Sequence, residues 1–166
     1  YIGKKDGKEQ FRAEIGQAPK NYKNEKGEWV PYDTKLVSSK KEGYDYALAS
    51  ADHEAYFKKN LTQGAIVTIK KDNSWLTLTP GVLQFINEKG ETQVIAEPMG
   101  NSVAEVDGEL ITYKDIYGPG IDLRFINTST KVAKELVITT KESLPAPTID
   151  NPSLEFQMTL EKDGVK

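Results

Sequence analysis

The chain contains no cysteine. Disulfides, thiolate metal sites and a cysteine nucleophile are therefore excluded. The compartment stays open, because disulfide-free domains suit the cytosol and also many bacterial surface proteins. There is a single histidine, His53, set between Asp52 and Glu54. A lone imidazole among acids reads as a surface residue rather than an acid–base catalyst. No apolar run approaches the roughly 18 residues a membrane helix needs, so no membrane insertion is expected. No Gly-x-Ser-x-Gly elbow and no phosphate-cradling glycine loop occurs. The acidic residues are spread along strand-like segments. No dense acidic loop offers the roughly 6–8 oxygens of a calcium site, and Asp115 and Asp122 alone do not make one. The chain reads as a non-enzyme with no cofactor and no metal.

Charge of one sign is also missing. The formal net charge is -3 and both signs are interspersed, so no basic stripe for nucleic acid is present. Lys4, Lys5 and Lys8 are broken by Asp6 and Glu9 and read as a solvated terminus. The sequence begins at Tyr1, without a signal-peptide pattern, which suggests a processed product or an excised piece of a longer protein.

What is present is a period of two. The 166 residues, 37% hydrophobic and 28% charged, suit one soluble globular domain. Phe11, Ala13 and Ile15 alternate to one face, as do Tyr44, Tyr46 and Leu48. Further strands are expected at "AIVTIK", "SWLTLT", "VLQFIN", "ETQVIA", "ELITYK", "IDLRFIN", "KELVITT" and "LEFQMTL". In "SWLTLT", Trp75, Thr77 and Thr79 point one way and Leu76 and Leu78 the other. About ten to twelve short strands with regular turn signals predict an all-β, mostly antiparallel β-sandwich over 1–166. The one helix candidate is a turn within Ser50–Leu61, where Tyr56 and Phe57 suit a strand equally. The proline-rich stretch 143–152 reads as an extended connector to the last strand. "NEKGEW" at Asn24 and "NEKGET" at Asn87 share turn chemistry and do not signal a duplicated domain.

The Gly118-Pro119-Gly120 turn between Tyr113 and Phe125 reads as a corner feeding a core strand. Proline fixes its own φ and the glycines admit positive φ. Asp122 is placed to accept from turn amides or to pair with Arg124 or a cross-strand lysine. Trp29, Tyr113, Gly118, Pro119, Gly120, Leu123 and Phe125 are the expected supports of the fold, and Trp29 and Trp75 are expected as core anchors.

Two blocks carry a resemblance. "PKNYKNEKGEWVPYDTKLV", through Tyr22, Gly27, Trp29 and Asp33, and "ITYKDIYGPGIDLRFINTSTKVAKELVIT", through Tyr113, Tyr117, Asp122, Leu123, Lys134 and Glu135, resemble a β-rich module of long secreted bacterial surface proteins. These are wall-associated YD-repeat (RHS-type) proteins and proteins carrying DNRLRE-type modules. The likeness spans roughly Pro19 to Pro145. Asn21 stands where that pattern commonly has His. The resemblance implies a non-catalytic module at the cell surface or outside the cell, and carries over no catalytic residue.

The expected function is a structural, adhesive or self-assembly module whose partners are other protein modules or copies of itself. The alternative is carbohydrate binding by surface aromatics, with Tyr32, Tyr44, Tyr46 and Trp75 as ligand-binding candidates. A Lys–Asn/Asp isopeptide cross-link is a further idea, with Lys134 and Glu135 beside apolar strand residues.

Overall fold

The computed structural model describes residues 3–5, 8–10, 19–61 and 64–163. The expected strand through Phe11, Ala13 and Ile15 lies outside these residues. The described chain has no α-helix and fifteen strands. Two strands make an N-terminal hairpin, β1 (Gly3–Lys5) and β2 (Lys8–Gln10). A second hairpin joins β3 (Asn21–Lys23) to β4 (Trp29–Pro31). The large sheet runs β10-β9-β8-β7-β6-β5, with β15 added along β9. Its strands are β5 (Asp33–Ser38), β6 (Tyr46–Ser50), β7 (Glu54–Phe57), β8 (Val67–Lys71), β9 (Ser74–Ile86), β10 (Thr92–Ala96) and β15 (Ser153–Asp163). The small sheet, β11 (Ala104–Asp107), β12 (Leu110–Tyr113), β13 (Ile121–Asn127) and β14 (Val132–Ile138), is a meander in chain order. All strand pairs are antiparallel. The expected all-β antiparallel sandwich is the fold. Of the strands not expected, β1 to β4 have three residues each, too short for a period of two to register, and β5, β7 and β11 have six, four and four.

Alternation builds the core. In β9, Leu76 and Leu78 pack inward while Trp75, Thr77 and Thr79 face out. Phe57, Val67, Leu78 and Leu83 of the large sheet meet Ile111, Tyr113, Ile121, Leu123 and Phe125 of the small one. Phe57 and Phe125 lie 5.9 Å apart, and Tyr113 stands edge-on to Phe125 at 6.2 Å. Each such side chain taken fully out of water contributes about 1.5–3 kcal/mol.

Three expectations are corrected. The helical turn within Ser50–Leu61 is strand β7, because Ala55 and Phe57 fill the core between β6 and β8. "SWLTLT" and "VLQFIN" are one thirteen-residue strand, β9, and not two. Pro80 and Gly81 do not end it. Strand β9 bulges at this point, where Gly81 and Val82 oppose the single residue Gln157 between the Phe156–Leu83 and Met158–Pro80 pairs, so the donor that proline lacks breaks no regular ladder. A Cβ on Gly81 would lie 3.1 Å from the Gln157 Cβ, so glycine lets the bulge approach. Lys134 and Glu135 are exposed on β14, and Glu135 reaches Arg124 at 3.9 Å, so that lysine lacks the burial an isopeptide cross-link needs.

The two Asn-Glu-Lys-Gly turns are built alike. Asn24 Oδ1 accepts from the amides of Lys26 and Glu28, and Asn87 Oδ1 from those of Lys89 and Glu91. In both, the asparagine Nδ2 donates to the glutamate that follows the glycine. Gly27 and Gly90 have φ of 78° and 79°. The repeat is one turn used twice.

Candidate functional site

The Gly-Pro-Gly segment is a corner held from all sides. The Asp122 carboxylate accepts from the Asp115 amide at 2.8 Å and pairs with Lys114 Nζ at 3.1 Å. Asp115 Oδ1 in turn accepts from the Gly120 amide at 2.6 Å. The Tyr113 and Tyr117 hydroxyls donate to the carbonyls of Lys58 and Gly81 in the large sheet. Burial pushes both phenols well above the usual tyrosine range, so they act as neutral donors. These bonds give Asp115, Asp122, Tyr113 and Tyr117 structural roles at the corner.

The four aromatic candidates do not form one platform. Tyr46 turns inward, opposite Phe57, and packs on the core. Tyr44 precedes β6 and goes the other way, so it does not share a face with Tyr46 and Leu48 as the alternation predicts. Its ring lies 5.6 Å from Tyr56 at 47°, and its hydroxyl meets Thr68. Lys41 Nζ covers this pair, 4.3 Å from the Tyr56 ring and 5.5 Å from that of Tyr44. Burial, with Glu54 as hydrogen-bond acceptor, pushes the Tyr56 hydroxyl up to about 12. These rings are already stacked and capped.

Tyr32 and Trp75 belong to another place. Tyr32 packs on Tyr22 at 5.0 Å, and burial together with the Asp52 charge pushes its hydroxyl up. Trp75 is 36% exposed and pairs in register with Lys70. Trp29 is 70% exposed, pairs with Lys23, and has Lys23 Nζ 5.3 Å from its ring. Both tryptophans are thus corrected from core anchors to surface residues. The core of the sandwich is filled by phenylalanine, tyrosine and aliphatic side chains, and the register sets Trp29 and Trp75 on outward faces.

Between the β3–β4 hairpin and the β6–β7 and β8–β9 turns at one end of the large sheet lies a cleft of about 380 Å³. Tyr22, Lys23, Asn24 and Glu25 form one wall, and Ala51–Glu54 with Lys70–Asp72 the other. The hairpin is tied to β6 by Tyr22, whose hydroxyl lies 3.0 Å from Ser50 Oγ, and Ser50 Oγ donates to the Pro31 carbonyl. At the base, Asp52 joins His53 Nδ1 and Lys71 Nζ, each at 3.0 Å. Burial pushes the Asp52 carboxyl up, but the hydrogen bonds from His53 and Lys71 and the Lys71 charge outweigh it and hold it below the usual carboxylate range. The same pairing holds Lys71 above the usual lysine range. His53 is not a surface residue. Its side chain is 7% exposed, and Nε2 is enclosed without a partner among the described residues.

Sequence reasoning missed this cleft. Asp52 and His53 are adjacent, but Lys71 and Tyr22 are brought to them only by the β7–β8 pairing and the hairpin. The exposed "GEW" tryptophan was the one available signal, and its size favoured the core reading. Comparison of the chain with family models, with curated proteins and with solved structures finds no match.

Proposed function

We propose that the chain is a non-catalytic structural module of a bacterial cell-surface or secreted protein, working by association with further copies of itself through a sheet edge. The resemblance of the Tyr22–Asp33 and Tyr113–Glu135 blocks supports the setting. The observation that carries the reading is strand β15. It is eleven residues long, pairs only with β9 among the described strands, and leaves Leu154 39% and Leu160 57% exposed. A long open edge with apolar side chains is a template for another strand unless it is blocked. The edge of β10 is closed off by comparison, since Gln93 bonds the Ala146 carbonyl and the Thr148 amide of the connector.

A second copy fits this edge by symmetry. Two antiparallel β15 strands related by a two-fold axis at Gln157 set Leu154 opposite Leu160 at both ends. They also set Glu155 opposite Thr159 and Ser153 opposite Glu161, with no like charges facing. A register centred on Met158 would instead oppose Glu155 to Glu161 and Leu154 to Lys162.

Light scattering across a concentration series tests the reading. Mass should rise toward a dimer in the wild-type chain and stay monomeric in Leu160→Lys. A chain that remains monomeric at every concentration, or a Leu160→Lys variant that associates unchanged, would sink it.

A further inference from the structure

We infer that the β3–β4 hairpin is an acid-released strap, freed from the large sheet when His53 takes up a proton. The device is separate from the β15 edge and independent of assembly. Three observations carry it. The first is the enclosure of the ring. The His53 side chain is 7% exposed, and its Nε2 is buried without a partner among the described residues. The Asp52 carboxylate can only accept, so Nδ1 carries the hydrogen of their 3.0 Å bond. In the neutral ring Nε2 is therefore an acceptor. An added proton turns it into a donor, and the closed fold offers that donor no acceptor and no exposed surface. A charged donor enclosed in this way is disfavoured about tenfold or more.

The second is the charge around the ring. Asp52 and Glu54 flank it in sequence. Lys23 and Glu25 line the cleft from the hairpin, and Lys70, Lys71 and Asp72 from β8 and the turn after it. Tyr22 and Tyr32 add two phenols, and Tyr32 reaches Asp52. Asp52 is bound to Lys71 at 3.0 Å, and Glu54 to Lys70 at 3.5 Å and to the Tyr56 hydroxyl. Asp52 favours a charged ring through Nδ1, yet no carboxylate, Glu25 and Asp72 included, reaches Nε2. The charged ring must bring Nε2 to water.

The third is how the neighbouring elements are held. Strands β7 and β8 lie inside the large sheet, whereas no ladder joins the β3–β4 hairpin to it. Tyr22 is the hairpin residue that borders both the cleft and a second hollow of about 160 Å³, and His53 borders both as well. The hairpin is tied at Ser50, whose Oγ lies 3.0 Å from the Tyr22 hydroxyl and 3.2 Å from the Pro31 carbonyl. Giving up these bonds leaves the β3–β4 ladder and the large sheet whole. The hairpin is thus the wall beside His53 that can move without breaking a sheet. Because the closed form disfavours the charged ring, it loses stability relative to the open form as pH falls.

The test is a titration of the folded chain by nuclear magnetic resonance from about pH 8 to about pH 5, where histidine charge ordinarily changes. The imidazole nitrogens of the only histidine report protonation. Through-space contacts between the Tyr22 ring and Ser50 report the closed strap, and amide protection in β8 and β9 reports the sheet. The Tyr22–Ser50 contacts should fade in step with His53 protonation. The open-to-closed ratio should rise by up to about tenfold per pH unit, the limit for one proton. Protection in β8 and β9 should hold. In His53→Gln the contacts should persist across the range, and circular dichroism checks that this variant folds. The inference is overturned if the contacts survive full protonation of His53, or if they are lost equally in His53→Gln. It is also overturned if β8 and β9 lose protection in the same step, since the whole fold is then opening. The first and last of these outcomes are read on the wild-type chain and do not depend on the variant.

Discussion

The Tyr117 hydroxyl donates to the Gly81 carbonyl across 2.7 Å, tying the corner of the small sheet to the midpoint of β9. The same tyrosine meets Phe156 of β15 edge-on at 5.7 Å. Two strands of the large sheet, β9 and β15, thus meet the corner of the small sheet at one phenol. Tyr117→Phe keeps the ring and leaves the Gly81 carbonyl without this donor. The expected loss is about 1–3 kcal/mol of unfolding free energy. Urea unfolding with an unchanged denaturant slope is the measurement, and an unchanged midpoint would refute the role.

Gly81→Ala tests the close approach of the β9 bulge to β15. The added methyl would meet Gln157 Cβ at 3.1 Å and its carbonyl oxygen at 3.2 Å. Gln157 must give way by a few tenths of an ångström, at an expected cost of about 1–3 kcal/mol. The variant should also expose the β15 amides, read as faster hydrogen exchange from Phe156 to Met158 than elsewhere in that strand. Equal stability would mean that the bulge relaxes freely.

The twin turns give an internal control. Asn87 is buried and Asn24 is more open, yet both make the same three side-chain hydrogen bonds. Asn87→Ala should cost about 1–2 kcal/mol, since it empties a buried side-chain position along with its hydrogen bonds, and Asn24→Ala visibly less because water reaches that turn and replaces the lost acceptor. Parallel thermal unfolding of the two variants decides it. Equal losses would show that burial plays no part in the turn.

The Asp52–Lys71 pair sets opposite pH limits. Asp52 titrates lower in the folded chain than unfolded. Its contribution is present above the ordinary carboxylate value and is lost as pH falls through the lowered folded one. Lys71 titrates higher when folded, so its contribution is present below the ordinary lysine value and is lost as pH rises through the raised one. Lys71 is largely exposed, so each arm is small, within about 1 kcal/mol. Melting temperatures across pH should show the acid arm flattened in Asp52→Asn, and an identical acid arm in that variant would contradict the pairing.

Tyr56 supplies an alkaline signal of its own. Its hydroxyl is raised to about 12, so its stabilising effect is complete below the ordinary tyrosine value and fades as pH climbs toward 12. Near-ultraviolet absorbance should show a late tyrosinate that disappears in Tyr56→Phe, apart from those of the buried Tyr113 and Tyr117, and Glu54→Gln should bring part of the Tyr56 titration to lower pH. A tyrosinate count that completes at the ordinary value would rule this out.

The site was less legible than the fold, and particular residues show why. Trp75 was read correctly as sharing a face with Thr77 and Thr79, yet which face met the core was left to size, and size pointed the wrong way. Tyr44 and Tyr46 obey a period of two only if the strand includes both, and β6 begins at Tyr46. His53 looked exposed because its neighbours are acids, whereas the fold encloses its ring and leaves Nε2 alone.

The order of apolar and polar residues by itself determined the all-β class, the two Asn-Glu-Lys-Gly turns and the corner at Gly118–Gly120, because alternation and turn chemistry act between residues close in the chain. Tertiary structure decided the rest. The union of two expected strands into β9, the outward placement of Trp29 and Trp75, and the meeting of Tyr22, Asp52, His53 and Lys71 around one cleft all depend on pairings between residues far apart in sequence. Local pattern carries no register, and a shift of one residue in register turns a strand's inner face into its outer one.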